Sequence, residues 1–212
     1  MKKKIFSITL AVCLLVLSIA STTLAYFTDV KEKTNVYTSG NVSITLSDTA
    51  LDTSDDATVY PGQLIGGEAT VTNVGTEDAF ICLEVTFSNT TTNLATLLSG
   101  VSISDLLVGE LDPVADFEAV YDVDANPYSI YLIYKNAVKT TDGNKTVNFF
   151  DSIKVPGSWN NDQMAIFSGT NVTVKAYATQ TVGFEVADIT AKQALAAAFS
   201  NLDAIFNPAV QG

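Results

Sequence analysis

Apolar and polar residues alternate with a period of two over much of this chain, and that pattern constrains its fold more than any other feature. A strand turns successive side chains to opposite faces, so such segments predict half-buried β-strands. The clearest ones lie at residues 42–47, 69–72, 80–87 and 172–179, and residues 128–135 and 147–150 are also strand-like. Many short strands predict a mainly β chain folded as an antiparallel β-sandwich of the jelly-roll type.

Turn residues separate the predicted strands. Tyr60-Pro61-Gly62 combines a proline that fixes φ with a permissive glycine, and Asn73-Val74-Gly75 breaks the pattern again. Asp142-Gly143 lies between two strand-like segments and predicts a hairpin that joins them. The 212-residue length favours one domain, which we place at residues 26–212.

Helical spacing is found mainly at the C-terminus. Thr190 and Gln193 form a capping-box pattern, and Asn207-Pro208 provides a stop, so we predict a helix over residues 188–206. The apolar positions of that helix are Ala191, Leu195, Phe199, Leu202 and Phe206. We expect it to cover a sheet edge or an open end of the sandwich. A short helix is also expected around Leu94, Leu97 and Leu98.

The first 25 residues have the three parts of a secretory signal peptide. Three lysines, Lys2 to Lys4, precede an apolar run, and Thr23-Leu24-Ala25 ends it with small residues. We predict an N-terminal signal helix that a signal peptidase removes between Ala25 and Tyr26, which makes the protein secreted. The alternative is a retained anchor, and contact with a membrane is expected only through this uncleaved segment.

The charge of the chain excludes one class of partner. There are 11 basic and 23 acidic residues, for a net charge of −12, and there is no histidine. A surface this acidic repels phosphate backbones, so we expect no nucleic-acid partner.

The chemistry of catalysis is largely missing from the sequence. A His-Glu-x-x-His zinc site and a Ser-His-Asp triad both need imidazoles, which this chain lacks. Cys82 is the only cysteine after residue 25, and we interpret it as a small packed hydrophobe. Glu84 and Glu185 are interpreted as solvated surface charges. We therefore predict a protein that is not an enzyme and that needs no cofactor.

Two acidic segments are candidates for calcium binding. Asp122, Asp124 and Asn126 have the opening ligand spacing of an EF-hand loop, but Pro127 replaces the turn glycine and Ile133 the expected acid. Asp52, Asp55 and Asp56 form the second candidate. In both places the alternative is a polar loop.

Several motifs near the two ends of the predicted sandwich belong together. They are residues 24–29 (Leu-Ala-Tyr-Phe-Thr-Asp), Asn35, 39–42 (Ser-Gly-Asn-Val), 60–62 (Tyr-Pro-Gly), 70–76 and 172–184. In combination they resemble the TasA/camelysin family of secreted biofilm matrix proteins. The resemblance covers both ends of the predicted sandwich and leaves the middle, residues 88–127, unmatched. It implies a SipW-dependent-type signal peptide and a jelly-roll subunit of extracellular matrix fibres. The metallopeptidase label of this family does not transfer, because no histidine can hold zinc.

The resemblance also implies assembly by strand addition. In that mechanism the N-terminal segment, residues 26–40, completes the sheet of another copy, with Tyr26, Phe27, Val30 and Val36 as its apolar side chains. The expected partners are further copies of this chain and other matrix proteins. An open sheet edge leaves backbone donors and acceptors unpaired, so a strand from a neighbour satisfies them.

Two other functions remain open at this point. A monomeric surface adhesin or carbohydrate-binding module would need Tyr128, Tyr131 and Tyr134 on one exposed face, whereas strand alternation would divide them between core and surface. A secreted camelysin-type peptidase is the other alternative, and the absence of histidine argues against it.

Overall fold

A computed structural model describes residues 28–32, 42–48, 59–89, 94–111, 115–122, 128–140, 145–182 and 189–207. The strands are β1 (Thr28–Glu32), β2 (Ile44–Asp48), β3 (Leu64–Asn73), β4 (Ala79–Ser88), β5 (Leu107–Val108), β6 (Phe117–Asp122), β7 (Tyr128–Tyr134), β8 (Thr146–Lys154) and β9 (Asn171–Gln180). The helices are α1 (Leu94–Ser99), α2 (Ile103–Leu106), α3 (Asn161–Phe167), α4 (Ala191–Ala198) and α5 (Ser200–Phe206).

The strands form two antiparallel sheets. One has five strands in the order β1-β9-β4-β7-β6, and the other has four in the order β2-β3-β8-β5. The prediction of a mainly β, antiparallel chain is confirmed. The strand order, in which β1 and β9 come from opposite ends of the chain yet pair, is compatible with a jelly roll.

The main core fills the space between the two sheets, as the alternating sequence requires. In β4, Ile81, Leu83, Val85 and Phe87 are fully buried and point into this core. Burial of each such side chain contributes about 1.5–3 kcal/mol relative to exposure, so β4 is a central support of the sandwich.

The two ends of the sandwich differ. At the end where β9 starts, which we call the Asn171 end, Gln63 donates its backbone N–H to Tyr60 and Gly62 adopts a φ of 83°. This is the turn that Tyr60-Pro61-Gly62 predicted. At the other end, the Gln180 end, the buried Asn73 side chain accepts from the Gly75 N–H and donates to two backbone carbonyls. The ten residues of β9 separate these ends by roughly 30 Å.

The hairpin predicted from Asp142-Gly143 is wrong. β7 pairs with β4 and β6, whereas β8 pairs with β3 and β5 in the other sheet. Val138 forms an isolated bridge with Ala79 on the way between the sheets. A local turn signal indicates that the chain reverses but does not specify which strands pair, and Asp142-Gly143 itself lies outside the described residues.

The C-terminal helical segment differs from its prediction in two respects. It is divided into α4 and α5 at Phe199, whose φ of −128° and ψ of 111° are extended. It also packs on the outer face of the five-stranded sheet rather than at an edge or an open end. That face carries Cys82, Tyr131, Ile133 and Tyr177, and these apolar side chains need a cover. The predicted capping box at Thr190 and the stop at Asn207 are present.

Among the residues described, none of the helices has the length and apolar character needed to span a membrane. The predicted signal segment, residues 1–25, lies outside that range.

Candidate functional site

The edge of the five-stranded sheet is formed by β1, the N-terminal strand. It runs antiparallel to β9 over five residue pairs, from Thr28 opposite Thr179 to Glu32 opposite Lys175. β9 is paired on its other side with β4 over its whole length. Because β1 lies at the edge, its removal would expose the backbone N–H and C=O groups of β9 without disturbing the ladder between β9 and β4.

The residues predicted for assembly fall only partly within this edge. Val30 lies in β1 at the register position opposite Tyr177. Tyr26, Phe27 and Val36, together with the cleavage site at Ala25 and Tyr26, lie outside the described residues. The role of these residues and the cleavage position therefore stay predictions.

A polar cluster lies between the outer face of this sheet and the C-terminal helices. The Glu84 carboxylate accepts hydrogen bonds from the Tyr131 hydroxyl at 2.9 Å and from the Tyr177 hydroxyl at 2.7 Å. Asn201 of α5 donates its side-chain N–H to the Tyr177 oxygen at 3.1 Å. Phe199 packs edge-on against the Tyr177 ring with centroids 5.3 Å apart. We call Glu84, Tyr131, Tyr177 and Asn201 the Glu84 cluster.

Burial and charge keep the phenols of this cluster protonated. Desolvation, followed by the hydrogen bond to Glu84 and its charge, raises the pKa of Tyr177 well above its usual value. The same causes raise the pKa of Tyr131. Both hydroxyls therefore act as donors to the carboxylate throughout the physiological range. The interpretation of Glu84 as a solvated surface charge is wrong, since this residue is half-buried and its carboxylate accepts two hydrogen bonds.

The nearby thiol has no sign of activation. Cys82 is fully buried, and desolvation raises its pKa well above the usual value, with the Glu84 charge adding to the effect. A thiol needs a lowered pKa and exposure to act as a nucleophile. The interpretation of Cys82 as a packed hydrophobe is confirmed.

The three tyrosines of β7 do not share an exposed face. Tyr128 is buried in the main core, and Tyr134 packs partly buried against it. Tyr131 points the other way, into the Glu84 cluster. The division between two faces that alternation predicted is confirmed, and the face that a carbohydrate-binding module would use is absent from this strand.

A cleft of about 770 Å³ opens at the Asn171 end of the sandwich. Its wall combines residues of α1, α2 and α3 with the segment after β8, which contains the only tryptophan of the chain, Trp159. The apolar part comprises Leu97, Val101, Pro156, Trp159 and Ile166. Asp105 and Lys154 are the two charged residues in the wall.

Metal ligands are not gathered in the described part of the chain. No three side chains of histidine, cysteine, aspartate or glutamate lie close enough there to hold an ion. Asp122 ends β6 opposite Ser129, while Asp124 and Asn126 lie outside the described residues, as do Asp52, Asp55 and Asp56. A zinc hydrolase site built on imidazoles does not fit this chain, which contains no histidine.

Sequence reasoning missed both the Glu84 cluster and the cleft. The partners of Glu84 are 47 and 93 residues away in the chain, so no local pattern connects them. One signal was present, since Glu84 follows Phe80 and Cys82 on a strand face that is otherwise largely apolar.

The comparisons with known proteins gave one match. Residues 1–96 match the family described as "Camelysin metallo-endopeptidase", which is the TasA family. No curated protein and no solved structure matches the chain. The matched region includes β1 to β4 and thus the edge strand, its predicted leader and the central strand that carries Glu84. The match covers less than half of the chain, and it makes the N-terminal 96 residues similar to the TasA/camelysin family.

Proposed function

We propose that this protein is a secreted structural subunit of extracellular biofilm matrix fibres or of a surface layer, and that copies assemble by strand addition through their N-termini. The observation that carries the proposal is the position of β1. It is an edge strand of five residues near the N-terminus and pairs with one neighbour, β9. Such a strand can form the same backbone hydrogen bonds with β9 whether it comes from the same copy or from another copy.

Cleavage controls assembly in this mechanism. Before cleavage the apolar leader keeps the N-terminal segment at the membrane, and after cleavage at Ala25 the segment is free to pair. N-terminal sequencing of the secreted protein should begin at Tyr26 or within a residue or two of it. Mature protein that still carries Lys2 to Lys4 would contradict this part of the proposal.

Strand addition is tested by sedimentation and negative-stain microscopy of the mature chain. Deletion of residues 26–34 should give soluble monomers with the far-UV circular dichroism of a folded sandwich. A globular tag fused to the N-terminus should inhibit assembly, while the same tag placed after Gly212 serves as the matched control. Fibres of normal length from the truncated chain would rule out strand addition through this segment.

A second candidate function is supported by one observation, the metallo-endopeptidase description of the matched family. The side chains available in this chain do not fit that chemistry, for the reason given above. The purified protein should therefore leave casein intact. Chelator-sensitive cleavage by protein free of contaminating proteases would favour the peptidase instead.

A further inference from the structure

We infer that the cleft at the Asn171 end binds the mature N-terminus of another copy, the dipeptide Tyr26-Phe27 with its free α-amino group. This inference rests on the proposed function, because it requires cleavage after Ala25. It adds a second contact to the proposed assembly, between the two ends of successive sandwiches.

The register of β1 determines where the mature N-terminus emerges. Thr28 lies opposite Thr179, next to the last residue of β9, so the chain before Thr28 starts at the Gln180 end of a sandwich. This holds whether β1 pairs with the β9 of its own copy or of a neighbour. The cleft lies at the other end, since Ile166 in its wall precedes β9 and Lys154 ends β8.

Distance excludes an intramolecular contact. Two residues extend at most about 7 Å, whereas the strand β9 between the two ends measures roughly 30 Å. Tyr26 and Phe27 therefore cannot enter the cleft of the sandwich on which their own β1 lies. They can enter the cleft of a sandwich stacked end to end with it.

The chemistry of the cleft matches an aromatic chain terminus. Its volume lies within the range of about 300–1,000 Å³ typical of ligand sites, and its apolar wall suits aromatic rings. Asp105 is exposed in the wall, and its carboxylate has no ion pair or side-chain hydrogen bond with any described residue. An α-ammonium group is the natural counter-ion for this carboxylate.

The exposed apolar residues of the molecule support an end-to-end contact. Leu64, the register partner of Lys154 beside the cleft, is 57% exposed. Val74 and Val182, which follow β3 and β9 at the Gln180 end, are each 54% exposed. Exposed apolar side chains at both ends would be covered by head-to-tail stacking, a heterologous contact that propagates into an open filament.

A carbohydrate ligand fits the cleft less well. Stacking on a sugar ring requires an open aromatic face, but the Trp159 side chain is only 6% exposed. Its indole instead packs on Phe167 as part of the wall, with ring centroids 5.2 Å apart. A peptide terminus that contributes its own aromatic rings needs no such platform.

The binding test uses the tripeptide amide Tyr-Phe-Thr, which is too short to form the five-residue ladder of β1. It is titrated into the mature chain at a dilution where sedimentation shows monomers, and the fluorescence of Trp159 reports on the cleft. We expect saturable binding at millimolar concentrations. Acetylation of the peptide should weaken binding about two- to fivefold, the effect of one exposed ion pair.

Substitutions in the cleft wall show which of its residues contact the peptide. Asp105→Asn should weaken binding as much as acetylation does, and acetylation should have no further effect on this variant. Gly100→Phe should abolish binding by filling the cleft, since a Cβ at Gly100 meets only the Leu97 carbonyl oxygen, at 3.7 Å. Asp162→Asn, a change at an exposed aspartate of α3 outside the cleft wall, is the matched control and should bind normally.

The outcomes separate this inference from the proposed function. Normal fibres from the Gly100→Phe chain, or an acetylated peptide that binds as well as the free one, would overturn the inference and leave the proposed function intact. Peptide binding by a mature chain that never forms fibres would support the cleft as a site for the N-terminus and refute the fibre role. Loss of fibres in Gly100→Phe with unchanged circular dichroism would support both.

Discussion

The Glu84 cluster gives the sharpest test of how the C-terminal helices are held. Glu84→Gln keeps the shape of the side chain, removes its charge and replaces one of the two accepting oxygens by an amide N–H₂, which must donate to the tyrosine oxygen beside it. A hydrogen bond to a charged group contributes about 1.5–3 kcal/mol and a neutral one about 0.5–1.5, so each of the two bonds loses about 1 kcal/mol. Water reaches this half-buried group and reduces the loss. We therefore expect the free energy of unfolding to fall by about 1–2 kcal/mol.

Urea unfolding of the mature chain measures this quantity, with Trp159 fluorescence reporting on the main core and far-UV circular dichroism on the whole fold. Glu118→Gln is the matched control. Its partner Lys192 lies 2.8 Å away on α4, but the pair remains in contact with water and should contribute less than about 1 kcal/mol.

A double-mutant cycle tests whether the loss of unfolding free energy in Glu84→Gln comes from its hydrogen bond with Tyr131. Tyr131→Phe removes one donor, and it should cost less in the Glu84→Gln background than in the wild type because the bond to the charge is already gone. Additive effects would show that the hydroxyl and the carboxylate bind water independently in solution. A Glu84→Gln chain within about 0.3 kcal/mol of the wild type would refute the reasoning as a whole.

Three further predictions concern pH, redox and salt. Burial raises the pKa of Tyr128 to about 12 and also raises that of Tyr177, so the folded state holds protons that the unfolded state releases above pH ~10. Stability should therefore fall as pH rises beyond 10, and Tyr177→Phe should reduce the slope of urea stability against pH by about one proton. Cys82 should react with a thiol reagent only at the rate of unfolding, and rapid labelling of the native chain would contradict its burial. Without residues 1–25 the net charge is 8 − 23 = −15, so fibres should form faster near 0.15 M salt, where the Debye length is about 8 Å, than at 0.01 M. Turbidity at the two salt concentrations measures this effect.

The elements that could be predicted from the sequence are those whose cause is local. Period-two alternation identified β4 and both of its faces, because a half-buried strand requires that pattern. Thr190 and Gln193 located the start of α4, because a capping box satisfies backbone groups three residues apart.

The elements that could not be predicted depend on distant partners. The spacing from Ala191 to Phe206 fits one continuous helix, and the break at Phe199 coincides with its contact to the Tyr177 ring. The cleft combines α1, α2 and α3 with the segment after β8, so no stretch of sequence contains it. The Asp142-Gly143 sequence signal was misleading for the same reason, because contacts between distant strands determine which strands pair.

The ladder on the other side of β9 explains why strand addition is physically reasonable for this sandwich. β4 pairs with all ten residues of β9, whereas β1 pairs with five. β9 therefore keeps its longer ladder, and Tyr177 keeps its bond to Glu84, when β1 is absent. The backbone groups left open face the sheet edge, where water would satisfy them in a monomer and the β1 of a neighbour would satisfy them in the proposed fibre. Because β1 forms the same bonds in either copy, exchange changes little bonding free energy. The balance then depends on protein concentration and on contacts that form only between copies, such as the inferred one in the cleft, so cleavage and local concentration would decide when fibres form.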